Sequence, residues 1–267
     1  MKKLKQFCAA AISLLLLISF AACQANGTSV EIPSAGSSAT ALSNPSSQPE
    51  KSVSSISVNM KICTVDGNTF CGAGLAEPYN EVYTFSCTPE QLSGADSLLP
   101  GMIVEAVCDE NILESWPAQL SVQSVTVQEQ EPDYYDLYMQ VLEKLFTEDE
   151  GLNEPADYFG FDFTELNALR ENEKLLLAHE FSAAHSAEPL HGTLHELMDE
   201  GYIDEEHLYW EDGVHFTIKE KEIISGKVFY SVKKWRSGLG AIGYDCSAKP
   251  DEDGKWVFSE GSGFWIS

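Results

Sequence analysis

Basic residues are scarce in this 267-residue chain: 16 lysines and arginines stand against 42 aspartates and glutamates, a net charge of -26. Such a chain repels nucleic acid and anionic lipid headgroups. It contains no C-x-x-C, which argues against a zinc ribbon or a thioredoxin-like site. G-x-S-x-G is absent too, and so is H-E-x-x-H. Gly238-Leu239-Gly240 leads out of a turn into an expected strand, so it cannot open a helix over a phosphate. Past the N-terminal segment there is no second hydrophobic stretch of membrane-spanning length. The whole chain is 43% apolar and 10% aromatic, enough for ordinary cores, and it is long enough for two compact units.

The chain opens on a basic start, Met1-Lys2-Lys3-Leu4-Lys5, then an apolar run from Phe7 to Ala22, then Cys23. These are the parts of an export signal. Ala21-Ala22-Cys23 resembles the lipobox of bacterial lipoproteins, with Phe20 where that pattern usually has Leu. The resemblance implies cleavage before Cys23 and a diacylglyceryl group on its thiol, which holds the protein at the extracytoplasmic face of the cell membrane. Loss of the three lysines of residues 1–22 leaves 13 basic residues against 42 acidic ones, a net of -29. Lipid alone must then hold the chain to the membrane, and two acyl chains suffice. Residues 23–55 are rich in Ser, with Pro33, Pro45 and Pro49, and read as a tether.

Residues 56–130 have a β reading. Ile56, Val58, Met60 and Ile62 alternate with polar partners, and Val65-Asp66-Gly67-Asn68 offers turn chemistry. Further runs at 82–87, 102–108 and 120–127 bring the count to about five short strands, the pattern of a small OB-like barrel. Lys61 is the only basic residue between 56 and 128, so the basic face of a nucleic-acid-binding barrel is missing. Residues 131–267 read as α+β. Tyr135, Leu137, Tyr138, Val141, Leu142, Leu145 and Phe146 mark a helix over 133–147. Asp162 and Glu165 suggest a capped short helix to Leu169, a longer helix covers 173–185, and Thr193-x-x-Glu196 opens one that stops at Gly201. From Val214 the period falls to two, with strands expected near 214–222, 227–236, 239–249 and 255–266. Helices packed on an antiparallel meander sheet follow, with NTF2-like and cystatin-like arrangements as candidates.

Ile112-Leu113-Glu114-Ser115-Trp116-Pro117-Ala118-Gln119-Leu120 looks like a segment of small β domains in uncharacterised Gram-positive lipoproteins. Asp199–Asp204, Leu208–Gly213 and Lys234–Gly240 resemble uncharacterised lipoproteins of clostridia-like bacteria. These resemblances imply a fold and transfer no catalytic residue.

His179, His185, His191 and His195 fall within 17 residues among Glu180, Glu188 and Glu196. Imidazole and carboxylate suit zinc, but His179 and His185 are six apart and point to different helix faces, and the Thr193 cap leaves His191 outside its helix. The acidic loop Glu148–Glu154 offers calcium its oxygens without an EF-hand spacing. No metal site and no cofactor is assigned. Cys63 and Cys71 stand opposite each other if the hairpin loop is Asp66–Asn68, and form a disulfide there; with a two-residue loop Cys63 faces Phe70 instead. Cys246 shares a strand face with Ile242, Tyr244 and Ala248 and reads as a core thiol.

Charge asymmetry is more informative. Residues 129–212 hold 24 acids against Lys144, Arg170 and Lys174, whereas eight basic residues lie on the expected sheet. Either they balance the helices' acids, or a sheet face meets an anionic or polar ligand. Lys234, Trp235 and Arg236, ahead of a Ser-Gly turn, are the candidate ligand-binding residues, Arg236 gripping a carboxylate at two points. The function expected is non-enzymatic binding of a protein, peptide or small ligand outside the membrane. The alternatives are an extracellular hydrolase, metal-assisted or not, acting on peptide or cell-wall material, and a structural or inhibitory partner of a neighbouring enzyme.

Overall fold

The computed structural model describes residues 54–153, 155–261 and 263–267. The expected signal (1–22), the expected lipidation site Cys23 and the expected tether up to residue 53 lie outside the described residues. The chain is mostly β, with two seven-stranded sheets and three α-helices among the described residues. In order these are β1 (Ser55–Asp66), β2 (Thr69–Gly74), β3 (Val82–Ser86), β4 (Leu92–Ser93), β5 (Met102–Asp109), β6 (Ala118–Gln119), β7 (Val122–Gln130), α1 (Tyr134–Thr147), β8 (Tyr158–Asp162), α2 (Glu171–Ala184), β9 (Glu188–His191), α3 (Leu194–Asp199), β10 (Gly213–Ile224), β11 (Lys227–Ser237), β12 (Gly240–Pro250), β13 (Trp256–Glu260) and β14 (Trp265–Ile266).

The first sheet runs β4-β7-β5-β1-β2-β3-β6. Val58, Met60 and Ile62 point into its own core with Tyr83, Phe85, Val104 and Val125. A bulge at Cys63 then re-aims β1, so that Cys63 joins the larger core under the helices. The second sheet runs β13-β12-β11-β10-β8-β9, with β14 paired to β12. Strands β10 to β13 form an antiparallel meander, whereas β8 and β9 add in parallel. Ser225-Gly226, both at positive φ, make the tight β10–β11 turn that their residue types favour.

Two expected elements differ. Asp162 and Glu165 do not cap a helix: Asp162 Oδ1 accepts from Thr164 N and Oγ1, closing a turn after β8. The strand expected over 255–266 divides into β13 and β14, both against β12.

The two sheets are joined through α2. Its buried residues include Asn172, Glu173, Lys174, Leu177 and Phe181, so it has no wide solvent face. Phe181 packs among Phe146, Phe159, Phe161 and Phe216. On the other side, Asn172 Nδ2 donates to Gly74 O at 2.8 Å and Asn80 O at 2.9 Å. Beneath it lies a buried ion pair, Lys61 Nζ to Glu173 Oε1 at 3.4 Å, with Glu131 also 3.4 Å from the ammonium.

Asp133 sits beside this pair as the N-cap of α1, accepting from Asp136 N at 3.0 Å. Burial, helped by the charges of Asp136 and Glu173, pushes its carboxyl up to about 6 from 3.8. A raised folded value means that Asp133 contributes stability that is full below about pH 4 and lost as pH rises through 6. Asn caps as well as Asp. Asp133→Asn is therefore expected to stabilise the protein at pH 7 by roughly 1–3 kcal/mol, with the gain vanishing towards pH 4. Urea denaturation of both proteins at several pH values checks this; a difference curve that is flat between pH 4 and 6 rejects it.

Candidate functional site

Period two puts neighbouring residues of β11 on opposite sheet faces. Lys234 faces the helices, where its Nζ donates to Phe146 O at 3.0 Å, Asp149 O at 3.1 Å, Asn153 Oδ1 at 3.0 Å and Glu148 O. It caps the C-terminal end of α1. Burial draws its ammonium down to about 8, against the opposing pull of Asp149, Glu148 and Glu150. Arg236 donates to Leu152 O at 3.0 Å, Pro155 O at 2.6 Å and Glu211 O. Trp235, on the opposite face, is buried with Leu197, Ile203, Trp210 and Ala241 under α3. The three residues expected to hold a ligand are thus internal. Backbone carbonyls occupy the guanidinium that was expected to grip a carboxylate. The acidic loop considered for calcium turns its carbonyls onto an ammonium instead.

Cys63 and Cys71 are free thiols, in place of the expected disulfide. The turn is Gly67-Asn68, with Asp66 opposite Thr69, so Thr64 faces Cys71 and Cys63 falls in the bulge. Burial raises both thiols, Cys71 to about 12.

The histidines do not gather as a set of four, although His179 and His191 lie with ring centroids 6.5 Å apart. His179 stacks on Trp116 with ring centroids 4.1 Å apart, and His185 Nε2 meets Glu143 at 3.1 Å. His191 ends β9, and His195 lies 3.8 Å from Asp199 on α3. Among the described residues no group of three or more His, Cys, Asp or Glu could hold a metal ion.

Among the described residues, the face of the second sheet away from α1 and α2 is covered at one end alone. There α3 and the loop after it lie over Trp235, Ala241 and the buried His215, whose Nε2 bonds Gly192 O at 3.0 Å. Burial brings His215 down to about 4. The other end is open and forms a cavity of about 300 Å³. One row across its floor is Thr217, Lys233, Gly243 and Trp265, each paired to the next; the row beside it is Lys219, Ser231 and Asp245. Gly243 is required here, because a Cβ would stand 2.6 Å from Cζ2 of the Trp265 indole that lies over it.

The lining charges are mostly spoken for. Lys219 pairs with Glu165, which raises its ammonium, and Lys221 reaches Asp245 at 2.7 Å. Half-buried Lys233 has no acidic partner among the described residues. Burial, and then the nearby Lys219, lower its affinity for its proton. Ser231 Oγ and Trp265 Nε1 likewise have no partner among the described residues. Lys233, Ser231 and Trp265, which line one cavity, thus carry donor groups with no acceptor among the described residues. Sequence reasoning counted Lys233 among the sheet's basic residues but favoured Lys234, one residue on. The missing signal is which face of β11 the helices cover.

Compared with known proteins, the chain matches no family model and no curated protein. Among solved structures it aligns with an aspartyl tRNA synthetase from Entamoeba histolytica at 10% identity and a TM-score of 0.25. That alignment covers 70% of this chain and 48%, about half, of the synthetase chain.

Proposed function

We propose that this chain is a lipoprotein of the extracytoplasmic membrane face, cut before Cys23 and anchored there by lipid, whose folded part binds an anionic ligand without transforming it. The binding half rests on one observation: Lys233, Ser231 and Trp265 bring unpartnered donors into the open sheet cavity. The anchoring half rests on Ala21-Ala22-Cys23 behind the basic and apolar segment. With a precursor charge of -26, nucleic acid is an unsuitable partner.

The first sheet we read as an OB-like barrel. In its support, β6 runs parallel to β3 and leads after two residues into β7, which pairs with β5, itself paired with β1. The second region we read as α+β, helices on a meander, nearest to NTF2-like or cystatin-like arrangements. Support comes from the shared core of α1, α2 and strands β10 to β12.

Two results are expected. Cys23→Ser shifts the protein from a detergent-requiring membrane fraction to soluble or uncut forms; unchanged attachment with a free mature N-terminus defeats the anchor. Small carboxylates raise the melting temperature of the wild type, and Lys233→Met loses most of that rise while keeping its own unliganded melting temperature within a few degrees. If no anion shifts the wild type in a manner that depends on Lys233, the binding reading fails.

A further inference from the structure

We infer that the open sheet cavity takes a monocarboxylate borne on a flat ring, with the carboxylate at Lys233 and the ring against Trp265; this rests on the anion-binding reading above. Charge sets the first part. Around the cavity Lys219 is paired with Glu165 and Lys221 with Asp245, while Asp162, next to Thr217 in the row, accepts from Thr164 and adds its field at Lys219. Of the three ammonium groups only Lys233 has no ion pair among the described residues. A single half-buried ammonium with a neighbouring hydroxyl on Ser231 matches a carboxylate. A phosphate dianion asks for more charge, normally an arginine or a helix N-terminus.

The walls set the second part. Val232 belongs to the core under the helices and Tyr244 packs against that core, so on the open face both offer mainly backbone. Trp265 is then the apolar wall of the open face. Its indole edge rests on Gly243, which is paired directly to Lys233. Neighbouring strands lie about 5 Å apart, so the indole over Gly243 stands one strand along the row from the Lys233 backbone. A carboxylate fixed at Lys233 and extending along the row carries its substituent onto the indole, and flat rings meet an indole best in offset or edge contact. An open-chain acid makes the same ion pair and leaves the indole unused.

The test is titration of the full chain with benzoate, cyclohexanecarboxylate, acetate and inorganic phosphate, by calorimetry and by the indole N–H signal of Trp265. Benzoate is expected to bind about tenfold tighter than acetate and to move that signal. Trp265→Ala should bring benzoate down to the acetate level, and Lys233→Met should abolish both. If acetate, phosphate or cyclohexanecarboxylate binds as tightly as benzoate, the flat-ring inference falls while the anion site stands. If none of the four binds in a way that depends on Lys233, both fall together.

Discussion

Glu173→Ala is expected to destabilise the protein by about 3–5 kcal/mol, because it strands a buried ammonium. Lys61 is 1% exposed and Glu173 fully buried, 3.4 Å apart. Without the carboxylate, Lys61 keeps Glu131, which is partly exposed and screened by water, and the ring of Tyr134 at 5.9 Å. Arg170 loses as well, since its backbone N donates to Glu173 Oε2 at 2.9 Å at the start of α2. The pair itself is a different matter from its halves. Glu173 Oε1 has no hydrogen-bond partner, so the ion pair is imperfectly satisfied. Replacing both members together, Lys61→Met with Glu173→Leu, should recover much of the loss. Urea midpoints of the three proteins decide it; a loss below about 1 kcal/mol for Glu173→Ala would show that the ammonium reaches water.

Arg236→Ala is expected to lower stability by a similar amount, about 3–5 kcal/mol, and Arg236→Lys by about half of that. The guanidinium holds the carbonyls of Leu152, Pro155 and Glu211, from two separate loops, at once. A lysine has the charge but not the planar fork, so it cannot serve the same three acceptors. This outcome also separates the internal role from the ligand-gripping one. A residue that grips a ligand can be removed with little change in the unliganded melting temperature. If Arg236→Ala melts within a degree of wild type, the carbonyl clamp is not what holds these loops.

How far the sequence reached depends on the range of the interactions involved. The Thr193–Glu196 capping box, the Ser225-Gly226 turn and the helix over 134–147 are local, and all were legible from residue type and spacing. Strands β8 and β9 were not. Tyr158–Asp162 is five residues long and buried along most of its length, so it shows no alternation. Glu188–His191 contains Pro189, which argues against a strand, and both pair in parallel with segments far along the chain. The site suffered from a finer ambiguity. The period of β11 was plain, but its phase relative to the helices was not, and phase alone decides between Lys233 and Lys234. Gly243 carried no readable signal, because its reason is an indole that arrives from 22 residues further on.

Asn172 and Gly74 meet across 98 residues of chain. That separation has a kinetic meaning. As the chain is made from its N-terminus, the flank of the first sheet waits with the carbonyls of Gly74 and Asn80 unanswered and Lys61 held only by Glu131 until α2 arrives, and α2 in turn lacks part of its aromatic cover until Phe216 follows. Contacts of such long range slow folding, because the loop entropy is lost before the contacts repay it. The helix that welds the finished protein is thus the piece that keeps the growing one open.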